Sequence, residues 1–447
     1  MAIGAIDRFE IASATQLFYF AKALLFDSQQ RRTQPATERN SGLQQQSIDE
    51  VRCLLCLAHF ATWHGNPSVK SEACVLQSLL VQALRLSGLE EETVQDQQEV
   101  SWQQWSQHES ERRTKLLAFC FLGVQSLAYD TPPSVWCDEI NLQLPCSCPE
   151  WTAPNEATWN VLRQNTHGEQ GRFRETLSIL MSSVTPVDHS TATPTPVGNY
   201  VLIHGLLQKI LWTPRLLSSD PLLGSTASDY QSLFEIALHK WTSFWQQTPE
   251  SNLEPLDPNG PLPYTSTALL SLAYVRNCFD ISRARKIFTW SPAQIARALQ
   301  TSPPVERKWS TLLAAYHATN LLATLVNLGV QYVKQNQSIL WSIEATLCGL
   351  DCSIFLEKWL RRVQDTMHDT PLTDHEVRLV DWIQEVVHEG LSSANDCSFD
   401  SFTRSAISPD QIITVWSQIM QGNSPFQFIR MISEVLVEYG QLLAGSQ

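Results

Sequence analysis

Cys53 and Cys56 stand three residues apart, a spacing at which two sulfurs can meet one metal ion or exchange a disulfide. They lie in the apolar helical run Val51-Arg52-Cys53-Leu54-Leu55-Cys56-Leu57-Ala58, with no second pair at zinc-site distance. They therefore read as small core residues. Cys137, Cys146 and Cys148 bring three thiols near a loop. A closed zinc site takes four ligands, and only distant residues such as His167 or His189 offer a fourth. These three also read as structural thiols.

The 11 histidines contain no His-Glu-x-x-His pair for a metalloprotease. His59 and His64, five residues apart, share a helical face poorly, and His204 beside Gly205 reads as close helix packing. No Gly-x-Ser-x-Gly elbow or Gly-x-Gly cradle occurs, and no adjacent aspartate pair offers the magnesium site of a helical terpene cyclase. Glu90-Glu91-Glu92 reads as a solvated acidic face, and Arg283-Ala284-Arg285-Lys286 as a solvated helix end. Glu109 and Arg113 stand one turn apart and are expected to pair on the exposed side of their helix. The sequence thus offers no catalytic, cofactor-binding or metal-binding set of residues.

The elements that carry these residues are helical. Apolar residues recur at three- and four-residue steps, as with Leu116, Phe119, Cys120, Gly123 and Leu127. Glycine is scarce, 17 in 447 residues, and hairpin signals are few. This predicts an all-α fold, a large multi-helix array with loop insertions. Helices are expected at about 11–26, 48–63, 71–87, 102–128, 155–165, 170–183, 200–212, 228–247, 265–281, 292–299, 305–334, 338–363, 374–389, 409–421 and 426–443. Residues 28–46 read as a mobile loop, 184–198 as a linker, and the proline-rich 249–263 as a break. Between Asp130 and Leu144, Pro132 and Pro133 stop a helix and residues 140–144 run extended.

Charge and cysteine use narrow the function. A net charge of −14 opposes a broad phosphate-binding face. The 11 cysteines are scattered through apolar segments, which points to a reducing compartment. Residues 309–333 lack any Asp, Glu, Lys or Arg and are long enough to span a bilayer. His317, Asn320, Asn327 and Gln331 interrupt them, so a buried helix is expected and no membrane. The 15 tryptophans, mostly at helical spacing, read as packing anchors.

Residues 102–159 carry a family pattern. Trp102-x-x-Trp105, Glu111-Arg112-Arg113, an apolar helix, Tyr129-x-x-Pro132-Pro133, Glu139-Ile140, Leu144-Pro145-Cys146 and Trp151 follow one another. Together they resemble the regulatory domain, or middle homology region, of fungal transcription factors. The helix Ala73–Leu80 and the stretch Tyr200–Leu207 resemble further parts of it, the latter in the version found behind two-Cys two-His zinc fingers. The resemblance is strongest over 46–245, with 246–447 a helical continuation of one domain spanning 1–447. It implies a transcription regulator in the nucleus and, by family habit, one serving a secondary-metabolite gene cluster. Neither the family's six-cysteine cluster nor its Cys/His finger occurs in residues 1–447. DNA would then be reached only indirectly, or through an upstream zinc finger. Protein partners would be the transcription machinery or a DNA-binding regulator. The competing readings are an all-α enzyme with an unrecognised active site and a non-transcriptional helical scaffold.

Overall fold

The computed structural model describes residues 1–32, 42–91, 101–165, 170–182, 192–218, 227–254, 257, 261–394 and 408–445. Among these residues every extended element is an α-helix, and the strand-like pairing is confined to two isolated bridges, Glu90 with Asn141 and Gln143 with Arg172. The all-α expectation holds.

Local chemistry sets the helix ends. The longest helix, Trp102–Tyr129, begins with a capping box in which the Ser101 hydroxyl accepts from the Gln104 N–H while the Gln104 side chain reaches back. It ends at Asp130 in the left-handed region, two residues before Pro132. The chain then runs extended through Ile140–Leu144, as expected, and the bridges pin it to the segments before and after it.

Two helices form the centre. Leu262–Cys278 is buried nearly all round, and Ile343–Thr366 buries Leu347, Cys348, Leu350, Ile354, Phe355, Trp359 and Leu360. They pack on each other, and Leu262–Cys278 also packs on Pro196–Ser218 and Trp309–Leu328. A helix apolar on all faces needs such neighbours on all sides. The last two helices, Asp410–Met420 and Gln427–Ala444, close the C-terminal side, where the Tyr439 hydroxyl donates to Glu357 at 2.9 Å.

Several expected boundaries shift. The 200–212 helix runs from Pro196 to Ser218, because proline is tolerated in a first turn, so residues 196–198 of the expected linker are helical. Residues 192–195 are coil, and 184–191 lie outside the described residues. The supposed mobile loop is helical at both ends, in Ile11–Arg32 and Gly42–Thr62; 33–41 lie outside the described residues. The 305–334 helix divides into Trp309–Leu328 and Val330–Gln335 at Gly329, whose φ of 95° only glycine adopts easily. No helix among the described residues is long and apolar enough to cross a membrane. In Trp309–Leu328 the His317 ring stacks on Tyr274 with centroids 3.9 Å apart.

Candidate functional site

The buried face of Gly42–Thr62 is the stripe Val51, Leu54, Leu57, Ala58 and Ala61. Cys53 and Cys56 fall off that stripe and are exposed, which corrects their reading as core residues. The apolar run that contains them was too uniform to show which side faces in. Cys137 and Cys146 are buried and Cys148 half-buried. Burial pushes all three thiols up, Cys137 and Cys148 to about 11; the Glu109 and Glu250 carboxylates add to this at Cys146 and Cys148, whereas Lys209 opposes it at Cys137. No group of three or more His, Cys, Asp or Glu placed to hold a metal ion occurs among the described residues, and His167 and His189 lie outside them.

Glu109 is fully buried, which corrects its expected place on the exposed side. Its carboxylate meets Arg113 Nε at 2.7 Å and Arg112 Nη1 at 2.6 Å, and accepts the Cys146 backbone N–H at 3.0 Å. Burial alone would raise its pKa; the two guanidiniums reverse this and hold it below the usual carboxylate range. Arg112 continues to Glu91, whose other oxygen accepts the Gln143 N–H. Glu91 is thus a half-buried pairing partner, while Glu90 is exposed and Glu92 lies outside the described residues. Arg113 also lies over the Trp151 ring at 4.6 Å.

The basic run 283–286 is corrected as well. Lys286 is exposed, but Arg285 is buried to 1% exposure, its guanidinium on Asp351 at 3.2 Å and on the Leu127 carbonyl. Arg276 meets the same carboxylate at 2.5 Å and donates to Ser282 Oγ. Arg215 bridges Asp130 and Asp280 at the edge of this group. Burial, then the neighbouring Arg276, lowers Arg285 to about 10, still charged at neutral pH. Burial would raise Asp280, but Arg276, Arg215 and Ser282 together hold it well below the carboxylate range.

A cavity of about 280 Å³ opens beside this framework. Gly42–Thr62 brings Leu55, Cys56 and His59 to it, Trp63 follows just past the end of that helix, and Trp102–Tyr129 brings Leu117, Phe121 and Val124. Tyr200, Ile343 and Glu344 complete it with Ile3. Tyr200 Oη donates to Glu344 Oε1 at 3.2 Å, and the His204 ring meets Tyr200 edge-on at 4.6 Å. His204 is buried, and burial lowers it to about 4, so it is neutral. Gly205 does allow close packing: a Cβ there would sit 2.9 Å from Phe173 Cζ. His59 and His64 face different hollows; His64 borders an open groove with Tyr19, Asn66 and Gln427. Sequence reasoning missed Glu344 and Tyr200, whose meeting spans 144 residues of chain. A lone acid in the otherwise uncharged run Trp341–Leu350 was the available signal.

This geometry belongs to two adjoining sequence regions. Residues 7–243 match the fungal specific transcription factor domain, and residues 280–438 match the fungal transcription factor C-terminal domain. The first covers nearly all of 46–245, where the resemblance was strongest. The second lies in the stretch expected only as a helical continuation. No curated protein and no solved structure matches the chain. With more than half of its length matched by the first of these domains, the chain belongs to the family of fungal-specific transcription factor domains, and its role is the regulation of transcription.

Proposed function

We propose that residues 1–447 form the regulatory body of a nuclear fungal transcription factor that reaches DNA through another element. That element is a DNA-binding protein partner or a zinc finger outside these residues. The observation that supports this reading is the pair of family matches, which together take up most of an acidic chain carrying no base-reading zinc motif of its own. Negative surface repels phosphate, and without a groove-reading element a chain has nothing to set sequence preference. The body's contacts are then with proteins of the transcription machinery, and no catalytic step is assigned to it. Its targets are the linked genes of a secondary-metabolite cluster.

Deleting the coding region in the native fungus tests this. Transcripts of a contiguous set of biosynthetic genes should change by several-fold or more, and restoring the chain should reverse the change. An unaltered transcriptome under conditions in which the protein is made would overturn the reading.

A further inference from the structure

Glu344 sits in the first turn of Ile343–Thr366, at the positive end of the helix. Among the described residues no lysine, arginine or histidine forms an ion pair with it, and its hydrogen bond comes from the neutral Tyr200 hydroxyl. Glu344 is half-buried, and the fully buried Glu109 and Glu357 each have an arginine. Glu344 instead borders the 280 Å³ cavity. His59, on the same wall, carries a buried Nδ1 with no hydrogen-bond partner among the described residues. Burial lowers its pKa, so the ring offers a neutral donor or acceptor rather than a competing cation.

The rest of the wall fits one kind of ligand. Leu55, Val124 and Ile343 give apolar walls, Leu117 stands at the exposed rim, and Trp63 and Phe121 add aromatic rings. An unpaired carboxylate among aromatic rings attracts an organic cation through charge and ring quadrupole together. The volume is close to the lower end, ~300 Å³, of small-molecule sites. We infer that the cavity binds a small organic ammonium ion, its charged nitrogen on Glu344 and His59 and its apolar body against Leu55, Phe121 and Ile343.

The placement gives binding a consequence. Leu55, His59, Phe121 and Tyr200 belong to the first family region, Ile343 and Glu344 to the second. A cation seated there ties the two regions together and favours arrangements in which both walls touch it. That consequence rests on the regulatory reading above, whereas the binding itself does not.

The test is calorimetric titration of the full chain with three probes of one shape: tryptamine, tryptophol and indole-3-acetate, which are cationic, neutral and anionic. Tryptamine should bind saturably at one site, with tryptophol about tenfold weaker or more, as a charge-assisted contact implies, and the anion weaker still. Glu344→Gln should erase the preference for tryptamine. Leu117→Trp, made at a rim position 38% exposed, should fill the cavity and weaken all binding while leaving the helical spectrum intact. Tryptamine should also protect Cys56 from alkylation more than Cys53, which does not line the cavity. Equal affinity for tryptamine and tryptophol, tryptamine binding unaltered in Leu117→Trp, or no saturable binding below about 10 mM would overturn the inference. A silent transcriptional response to bound tryptamine would count against the regulatory reading and not against the site.

Discussion

Asp351 holds two guanidiniums in the centre of the protein, and all three side chains are at most 1% exposed. Such a group is not itself evidence of net stability, because taking charges out of water costs as much as their attraction returns. Breaking it is another matter. Asp351→Asn keeps the shape but leaves Arg285 a buried cation without its counter-charge and Arg276 with Asp280 alone. The expected loss is about 3–5 kcal/mol of unfolding free energy in urea denaturation. A loss under about 1 kcal/mol would show that water or Asp280 already compensates Arg276. This cluster was only half legible in the sequence. A single aspartate within Leu347-Cys348-Gly349-Leu350-Asp351-Cys352-Ser353-Ile354 is a signal of a buried charge. Its partners, 66 and 75 residues away, are chosen by helix packing, which no local pattern records. For the same reason Arg285 was read as solvated.

At the scale of elements, the sequence was a better guide. Period-3.6 patterning and capping are local, so Pro292–Gln300, Asp374–Ala394, Asp410–Met420 and Gln427–Ala444 lie close to where they were expected. The failures fall where the backbone leaves helical geometry inside a continuous helical pattern, as at Gly329 and at Trp341, which ends the short helix Gln337–Leu340 and separates it from Ile343–Thr366. Which face of a helix turns inward was also partly hidden. Glu109 was expected outside and is instead the pin that fixes Trp102–Tyr129 to the irregular chain at Cys146. Glu109→Gln removes the carboxylate that faces two mostly buried arginines, leaving Arg112 only Glu91. Amides of residues 141–151 should then exchange with solvent at least tenfold faster, while those of Gln427–Ala444 keep their protection. Uniform loss of protection across both segments would mean that the pin serves global stability and not this one junction.

Across the whole molecule, the two family regions are built into each other. Arg285 reaches the Leu127 carbonyl, Arg215 reaches Asp280, and Trp63 lies 4.9 Å from Phe428 between ring centroids. Tyr200 and Glu344 make the same crossing at the cavity. The family pattern in residues 102–159 foretold a regulatory body because its Trp, Pro-Pro and Arg-Arg positions are packing and turn positions, recognisable in order along the chain. The cavity was not legible, since its walls come from five separate helices. Charge points in the same direction as the fold: at −14 the chain is suited to protein contact and poorly suited to gripping a phosphate backbone. As proposed above, this body controls transcription once something delivers it to a promoter. Tethering tests that directly: the full chain is fused to an unrelated DNA-binding module, expressed in a fungal nucleus, and read on a reporter carrying the module's site. Reporter output should change in a way that depends on the tethered chain, and Asp351→Asn should abolish that change where the variant unfolds. A fusion that is stable, nuclear and bound at the site, yet leaves output equal to that of the module alone, would contradict it.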